Sequence, residues 1–399
     1  MKNKSKPNWS IAAVLGLSFG MAVLCLLFSY SKWNKPYALG KDVDAFVRKS
    51  AWVRRALFKE ETHSEVRAIN IAYDKQLVPY LDEEGLPAGT IDITDRQKLC
   101  TLFAFLEANP SYRYIVCDIN FAERVKTPYD SLLYATIRRL PRICIACGDS
   151  VVPGLRDVSC YAGYTMRRAG NGFLQFKYTH NNQPTVPLRM WQDIDGGRYE
   201  KHWFGYTRNG CLCTDGVIPD MRYTVESSYK NVSHNAALKL IYNLGSDILE
   251  DPTLSPAFFE DKVILIGDWT ENDMHDTIRL EQPGVVILYN AYLALRDGLN
   301  QLSWWLLLLL LIIYWALCFY VIYPLNPMLA AKNQKFIDWE NRHSVLKFFL
   351  DFLSITFFMQ LVCWMCYFFF GQYVNILVIS ALLSIGRWII NKYLYLYEK

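Results

Sequence analysis

The chain has 399 residues, 52% hydrophobic and 20% charged, with a net charge of +4 from 42 Lys+Arg and 38 Asp+Glu. That length suits about two domains, and so small and dispersed a charge argues against a nucleic-acid partner. The mean hydropathy of +0.07 hides two populations: both ends carry long apolar runs, while residues 31–300 carry most of the charge.

Residues 9–30 contain no charge and predict a first transmembrane helix, because about 20 apolar residues cross a ~30 Å hydrocarbon core. Lys2, Lys4 and Lys6 precede it, so the positive-inside rule places residues 1–8 in the cytoplasm. The run exceeds the ~7–15-residue core of a signal peptide, which favours an uncleaved anchor over the weak cleavage pattern at Ser29-Tyr-Ser31. Within it, Gly16 and Gly20 form a GxxxG that offers a homodimer face.

Residues 31–300 alternate strand and helix signals. Ala68–Tyr73 is a short apolar strand, and Asp95–Glu107 has the 3.6-residue period of a helix capped by Thr94 or Asp95. A strand at Tyr114–Cys117, a helix at Asp130–Arg139 and a strand at Arg142–Ala146 follow; the strand Lys262–Gly267 and the apolar segment Gly284–Leu295 come much later. This β–α order predicts one extracytoplasmic α/β domain with a mixed, largely parallel sheet and flanking helices. The intervening stretch 158–242, richer in Gly, Tyr and Asn, predicts antiparallel strands and loops.

The C-terminal part predicts further transmembrane helices at 302–323, 348–370 and 374–390, making four in all. Trp304 and Trp305 at one end of the first of these, with Tyr320 and Tyr323 at the other, suit two lipid–water interfaces, and Pro324 ends the helix. The loop 324–347 and the tail 391–399 are basic, which is the cytoplasmic pattern; a re-entrant pair over 348–390 is the competing reading. Asp351 follows Lys347 by one turn and predicts an interfacial i,i+4 pair rather than a proton path. Nothing else ionisable is expected deep in these helices. The chain therefore reads as a multi-pass membrane protein with both termini cytoplasmic and the large domain outside, in the periplasm or on the cell exterior.

Four predicted strands lead to an acid at or just past their C-terminal ends: Asp74, Asp118, Asp149 and Asp268. Ligands of open parallel sheets bind outside that edge. The loop Gly267–Thr277 adds Asp273, His275 and Asp276, giving oxygen donors and one imidazole for a polar ligand or an unspecified cation; Asp is also common in loops and caps on its own account. No catalytic residue set and no cofactor are expected. Seven of the 11 cysteines lie in the external segment. An odd number cannot all pair, so buried free thiols are the expectation, with a disulfide among Cys144, Cys147 and Cys160 as the alternative.

The order of parts resembles the second type of CHASE domain, the extracellular sensory input of many bacterial cyclases and histidine kinases. Phe259–Asp268, then Asp276-Thr277, Gln282-Pro-Gly-Val-Val286 and Asn290-Ala291 are similar to that family's C-terminal signature; Ile115–Glu123 with Asp130, and Asp215-Gly-Val-Ile218, are similar to earlier segments. Thr90-Ile-Asp-Ile-Thr, Ile278 and Arg222 depart from the pattern. The resemblance implies a sensor of a small extracytoplasmic ligand. With about nine residues after the last helix, no room for a cyclase or kinase is expected, so a separate membrane or cytoplasmic partner protein would carry the output. A non-catalytic receptor is thus the first expectation. A structural or assembly subunit of an envelope complex is the second, and an envelope enzyme built on the Asp/His loop is the third.

Overall fold

A computed structural model of the chain describes residues 9–30, 65–224, 241–325 and 343–396, apart from short interruptions at 83, 122–124, 149, 163, 168–169, 204, 215, 271–272, 279–280, 300, 373 and 375–376. Two compact units emerge, one holding the terminal helices and the other most of residues 44–299.

In the larger unit, strands β1 (Val66–Asn70), β4 (Tyr114–Cys117), β5 (Ile143–Cys147), β6 (Ser159–Tyr161), β10 (Ile241–Asn243) and β11 (Val263–Gly267) form a six-stranded sheet in the order β10-β1-β11-β4-β5-β6. Every pairing in it is parallel. Parallel strands are covered on both faces and so read as continuous apolar runs; β4 and β11 are buried at every position. On one face, Ile69, Ile115, Cys117, Ile145, Ile264 and Ile266 join a core with Leu99, Leu102, Phe103 and Leu106 of α2 (Arg96–Ala108) and with Leu133 and Ile137 of α3 (Asp130–Arg139). Helices α4 (Val186–Asp195) and α5 (Gly284–Arg296) pack on one another; α4 touches β4, β5 and β6, and α5 touches β11. The predicted β–α–β–α–β run is therefore present, and Asp95 is the cap of α2, accepting from the backbone N–H of Gln97 at 2.9 Å and Lys98 at 3.0 Å.

The stretch 158–242 departs from expectation. It does supply antiparallel pairs, such as β7 (Tyr164–Arg167) with β8 (Gly170–Lys177) and β8 with β9 (Gly216–Val217). Its first and last residues, however, are the two edge strands β6 and β10 of the parallel sheet. Each is only three residues long, too short for a periodicity to register. Strands β2 (Lys75–Leu81) and β3 (Pro87–Thr94) form an antiparallel hairpin that contains the divergent Thr90–Thr94 segment.

Asn290 on α5 ties the 223 region down. Its side-chain oxygen accepts from the Tyr223 N–H at 2.9 Å, and its amide donates to the Tyr223 carbonyl at 2.6 Å and to the Val286 carbonyl at 2.9 Å. Asn290→Leu should destabilise this unit by about 2–4 kcal/mol, because two buried backbone groups lose their partners at once. Chemical denaturation followed by tryptophan fluorescence checks this; a loss below about 0.5 kcal/mol, the range of neutral surface changes, would contradict it.

In the smaller unit, α1 (Ile11–Ser29), α6 (Trp304–Ile322) and α7 (Ser344–Phe370) are long and apolar enough to cross a membrane. The fourth predicted span is a helix, α8 (Leu377–Leu396), but it is not among those that meet the same test. Helices α1 and α6 pack closely: Trp315 Nε1 donates to Ser18 Oγ at 3.0 Å, the hydroxyls of Ser29 and Tyr314 lie 2.8 Å apart, and the rings of Phe19 and Trp315 meet edge-on. Gly16 and Gly20 lie on the open side of α1, with nothing within 4 Å of where a side chain would begin.

The expectation that nothing else ionisable lies deep in these helices is corrected by Arg387. Its guanidinium is 1% exposed, sits 3.5 Å from Asp351 and stacks over the Tyr320 ring at 3.8 Å. It also donates to the Tyr320 carbonyl. Lys347 approaches the same carboxylate at 3.9 Å, so the expected Lys347–Asp351 pair is present but shared with a second cation. Arg387 sits in the middle of α8, and reading the helix as a one-dimensional run missed the partner across the bundle.

Candidate functional site

A cavity of about 240 Å³ opens beyond the C-terminal ends of β4 and β5. Its floor includes Asp118, directly after β4, and Ala146 and Cys147 at the end of β5; Phe173 and Phe176 of β8 form one wall, and Gly284, Ile287 and Leu288 of α5 form another. Asp273 and His275 complete it. The position is the one that open parallel sheets use for ligands. It lies where the chain order jumps, since β11 enters the sheet late, between β1 and β4.

Local structure explains how the polar groups converge. The Asp118 N–H donates to the Ile266 carbonyl at 2.8 Å, so β11 fixes the end of β4. Beyond β11, the short strand β12 (Met274–His275) pairs antiparallel with β13 (Gln282–Pro283), setting His275 opposite Gln282 and next to the start of α5. Asp273 then binds in two directions: its Oδ1 lies 2.9 Å from His275 Nε2, and its Oδ2 accepts from the Gly284 N–H at 3.2 Å. The His275 ring stands edge-on to Phe173 at 4.6 Å, and Phe173 is itself held by its N–H to the Asp276 carbonyl at 2.7 Å.

Gly284 is required by this geometry. A Cβ there would lie 2.8 Å from Asp118 Oδ2 and 2.9 Å from Asp273 Oδ2, so the helix approaches both acids only because it begins with glycine. The N-terminus of α5 stabilises negative charge at that point. Asp118 nevertheless titrates high: burial, followed by the neighbouring Asp273 carboxylate, raises its carboxyl to about 7 against a smaller opposing pull from His275. A carboxyl that exchanges its proton near neutrality is a common feature of binding and catalytic sites.

The predicted ligand residues separate into two groups. Asp118, Asp273 and His275 meet at the cavity. Asp74 does not: it is buried in an ion pair with Lys98 at 2.6 Å and accepts from the Gly245 N–H at 3.1 Å, a structural tie between β1, α2 and the segment after β10. Asp268 closes its own turn, accepting from the Thr270 N–H at 2.9 Å and hydroxyl at 2.6 Å, with Lys75 at 3.6 Å. Asp276 contributes its backbone to β8 and does not line the cavity. Asp149 lies outside the described residues. Sequence reasoning missed the aromatic wall, Phe173 and Phe176, because strand β8 reaches the site through contacts with the distant 275–277 segment, including its bridge to Thr277. Among the described residues no group of three or more His, Cys, Asp or Glu side chains is placed to hold a metal ion.

The seven thiols between residues 100 and 213 are free and mostly buried, as expected, with Cys147 and Cys211 more exposed. Cys144 and Cys160 on adjacent strands hydrogen-bond to one another, and that contact together with burial raises the Cys144 thiol well above its ordinary value.

Comparison of the chain with protein-family models, with curated proteins and with solved structures finds no match. The functional reading rests on the chain's own geometry.

Proposed function

We propose that this protein is a membrane-anchored, receptor-like sensor, whose α/β module lies outside the cytoplasm and binds a small ligand in the cavity at the ends of β4 and β5. The observation that carries this reading is that α5, which lines the cavity with Gly284, Ile287 and Leu288, continues through residues 297–303 into the apolar helix α6. A ligand that shifts α5 therefore acts on a membrane helix through a short stretch of chain. Since α6 packs along α1 through Trp315–Ser18 and Tyr314–Ser29, the output is a change in that helix pair, read by a separate partner protein. The likeness of Phe259–Asp268 and Asn290-Ala291 to the second type of CHASE domain supports the same reading. The lysines at 2, 4 and 6 and the basic 324–347 segment support a cytoplasmic N-terminus and an outer-facing module in a bacterial inner membrane. The open Gly16–Gly20 face supports a homodimer in which two such helix pairs meet.

Two measurements test the proposal. An alkaline-phosphatase fusion after Asp297 is expected to be active and one after Lys399 inactive; the reverse pattern contradicts an outer-facing module. The thiols of Cys25 and Cys318 are hydrogen-bond partners between α1 and α6, so their oxidative cross-linking in membranes reports the helix pair. Leu288→Trp, which crowds the cavity, should change that cross-linking rate several-fold. An unchanged rate in a folded variant removes the coupling and favours an assembly subunit.

A further inference from the structure

We infer that the cavity takes a small organic cation, an ammonium group on a short alkyl body, held between the carboxylates of Asp118 and Asp273. This rests on the receptor reading above and specifies its ligand class. Charge excludes the other classes first. Among the described residues the cavity lining holds two acids and His275 and no Lys or Arg, a negative lining that favours a cation over an anion. A bare metal ion is disfavoured by the lack of a ligand set among the described residues. Beside Asn120 and Cys147, the lining presents an apolar side of Ala146, Ala162, Phe173, Phe176, Ile287 and Leu288, which would suit an alkyl chain and leave a hydrated inorganic cation poorly solvated there.

The two acids differ in a way that assigns their roles. Asp273 is engaged by His275 and by the Gly284 N–H. Asp118 makes no side-chain hydrogen bond to any described residue, although it is half-buried and lines the cavity. Its carboxyl oxygen and that of Asp273 flank the same point on Gly284, so one ammonium with three N–H donors can address both. At about 240 Å³ the cavity has room for a short alkylamine.

Proton linkage follows from the same groups. Among the described residues the titratable groups that line the cavity with Asp118 are Asp273 and His275 from the β12 segment and Cys147 from β5; α5 faces it with the Gly284 backbone, and β8 with phenylalanines. The carboxyl, held at about 7 by burial and by Asp273, loses its proton when a cation binds. Affinity for an amine therefore rises with pH through neutrality.

The experiment uses the full chain in lipid nanodiscs and three probes of one shape: n-butylammonium, 1-butanol and butanoate. Ligand-observed NMR and calorimetry should find n-butylammonium bound at least tenfold tighter than either counterpart, and about tenfold tighter at pH 8 than at pH 6. Asp118→Asn, which keeps the shape and removes the charge, should weaken n-butylammonium about 10- to 100-fold, the worth of one charge-assisted hydrogen bond, and abolish the pH dependence. Asp273→Asn provides a second arm should the first variant fail to fold. Butanol or butanoate binding as tightly as the amine overturns the cation assignment and leaves a ligand pocket. No amine binding up to about 10 mM, weaker than ordinary receptor affinities, also overturns it; if Leu288→Trp still alters the Cys25–Cys318 cross-linking, the receptor reading survives alone.

Discussion

Wild-type protein should lose thermal stability between about pH 4 and about pH 7 relative to Asp118→Asn, with the gap flat above and below that window. The reason is the direction of the Asp118 titration. Its carboxyl is raised from 3.8 to about 7 by burial and by Asp273, so in this interval the folded chain keeps a proton that the unfolded chain gives up. Stability then falls as pH rises, and the loss is complete above the folded value. One pH unit of difference is about 1.4 kcal/mol; since Asp118 faces a cavity that admits water, about 2–3 kcal/mol is expected in total. For a unit of this size that is a relative shift of about 5–10 °C in melting temperature. Comparing the two proteins at each pH cancels the other carboxylates. Parallel melting curves across the window would mean that Asp118 is solvated and ionised in the folded state. The Asp118→Asn substitution should raise stability at neutral pH while weakening the amine site, a trade expected where a polar group is kept for function.

Asp351→Leu is expected to be the most damaging single change in the helical unit. Asp351 is approached by Arg387 at 3.5 Å and Lys347 at 3.9 Å, and all three side chains are largely buried. Removing the one carboxylate from such a group leaves uncompensated charge in a low-dielectric setting and costs about 3–5 kcal/mol. In detergent or nanodiscs this should appear as a drop in melting temperature and in the yield of folded protein. Replacing both partners by apolar residues of similar size is often neutral, so Asp351→Leu with Arg387→Met should recover most of the loss. A double variant no better than Asp351→Leu alone would show that the two residues do not interact. Asp351→Glu, which keeps the charge, should cost far less than Asp351→Leu.

Particular residues show how far a linear reading reaches. The apolar runs at 9–30 and 302–323 emerge as α1 and α6 because length and lack of charge are properties of a segment by itself. The strands around Ile115, Ile145 and Ile264 were legible for the same reason: a strand buried on both faces must be apolar throughout. Asp95 was readable as a cap because capping acts within one turn. Asp118 carried a weaker signal, as an acid beyond a strand end, and that rule selected Asp74 and Asp268 equally; Asp273 stood out only as one acid of the 267–277 loop.

What separated those acids is contact between parts far apart in the chain. Lys98 and the Gly245 N–H engage Asp74, and Thr270 engages Asp268, whereas Gly284 and Phe173 bring Asp118 and Asp273 to a shared cavity. The three-residue edge strands β6 and β10 acquire their parallel pairing only because the sheet is already there to receive them. Likewise Arg387 is buried against Asp351 only when α7 and α8 pack side by side. Segment identity is local, since hydrophobic period, length and capping act over a few residues. The site and the buried charge group are nonlocal, since burial, pairing and a raised carboxyl depend on which surfaces the folded chain places against one another.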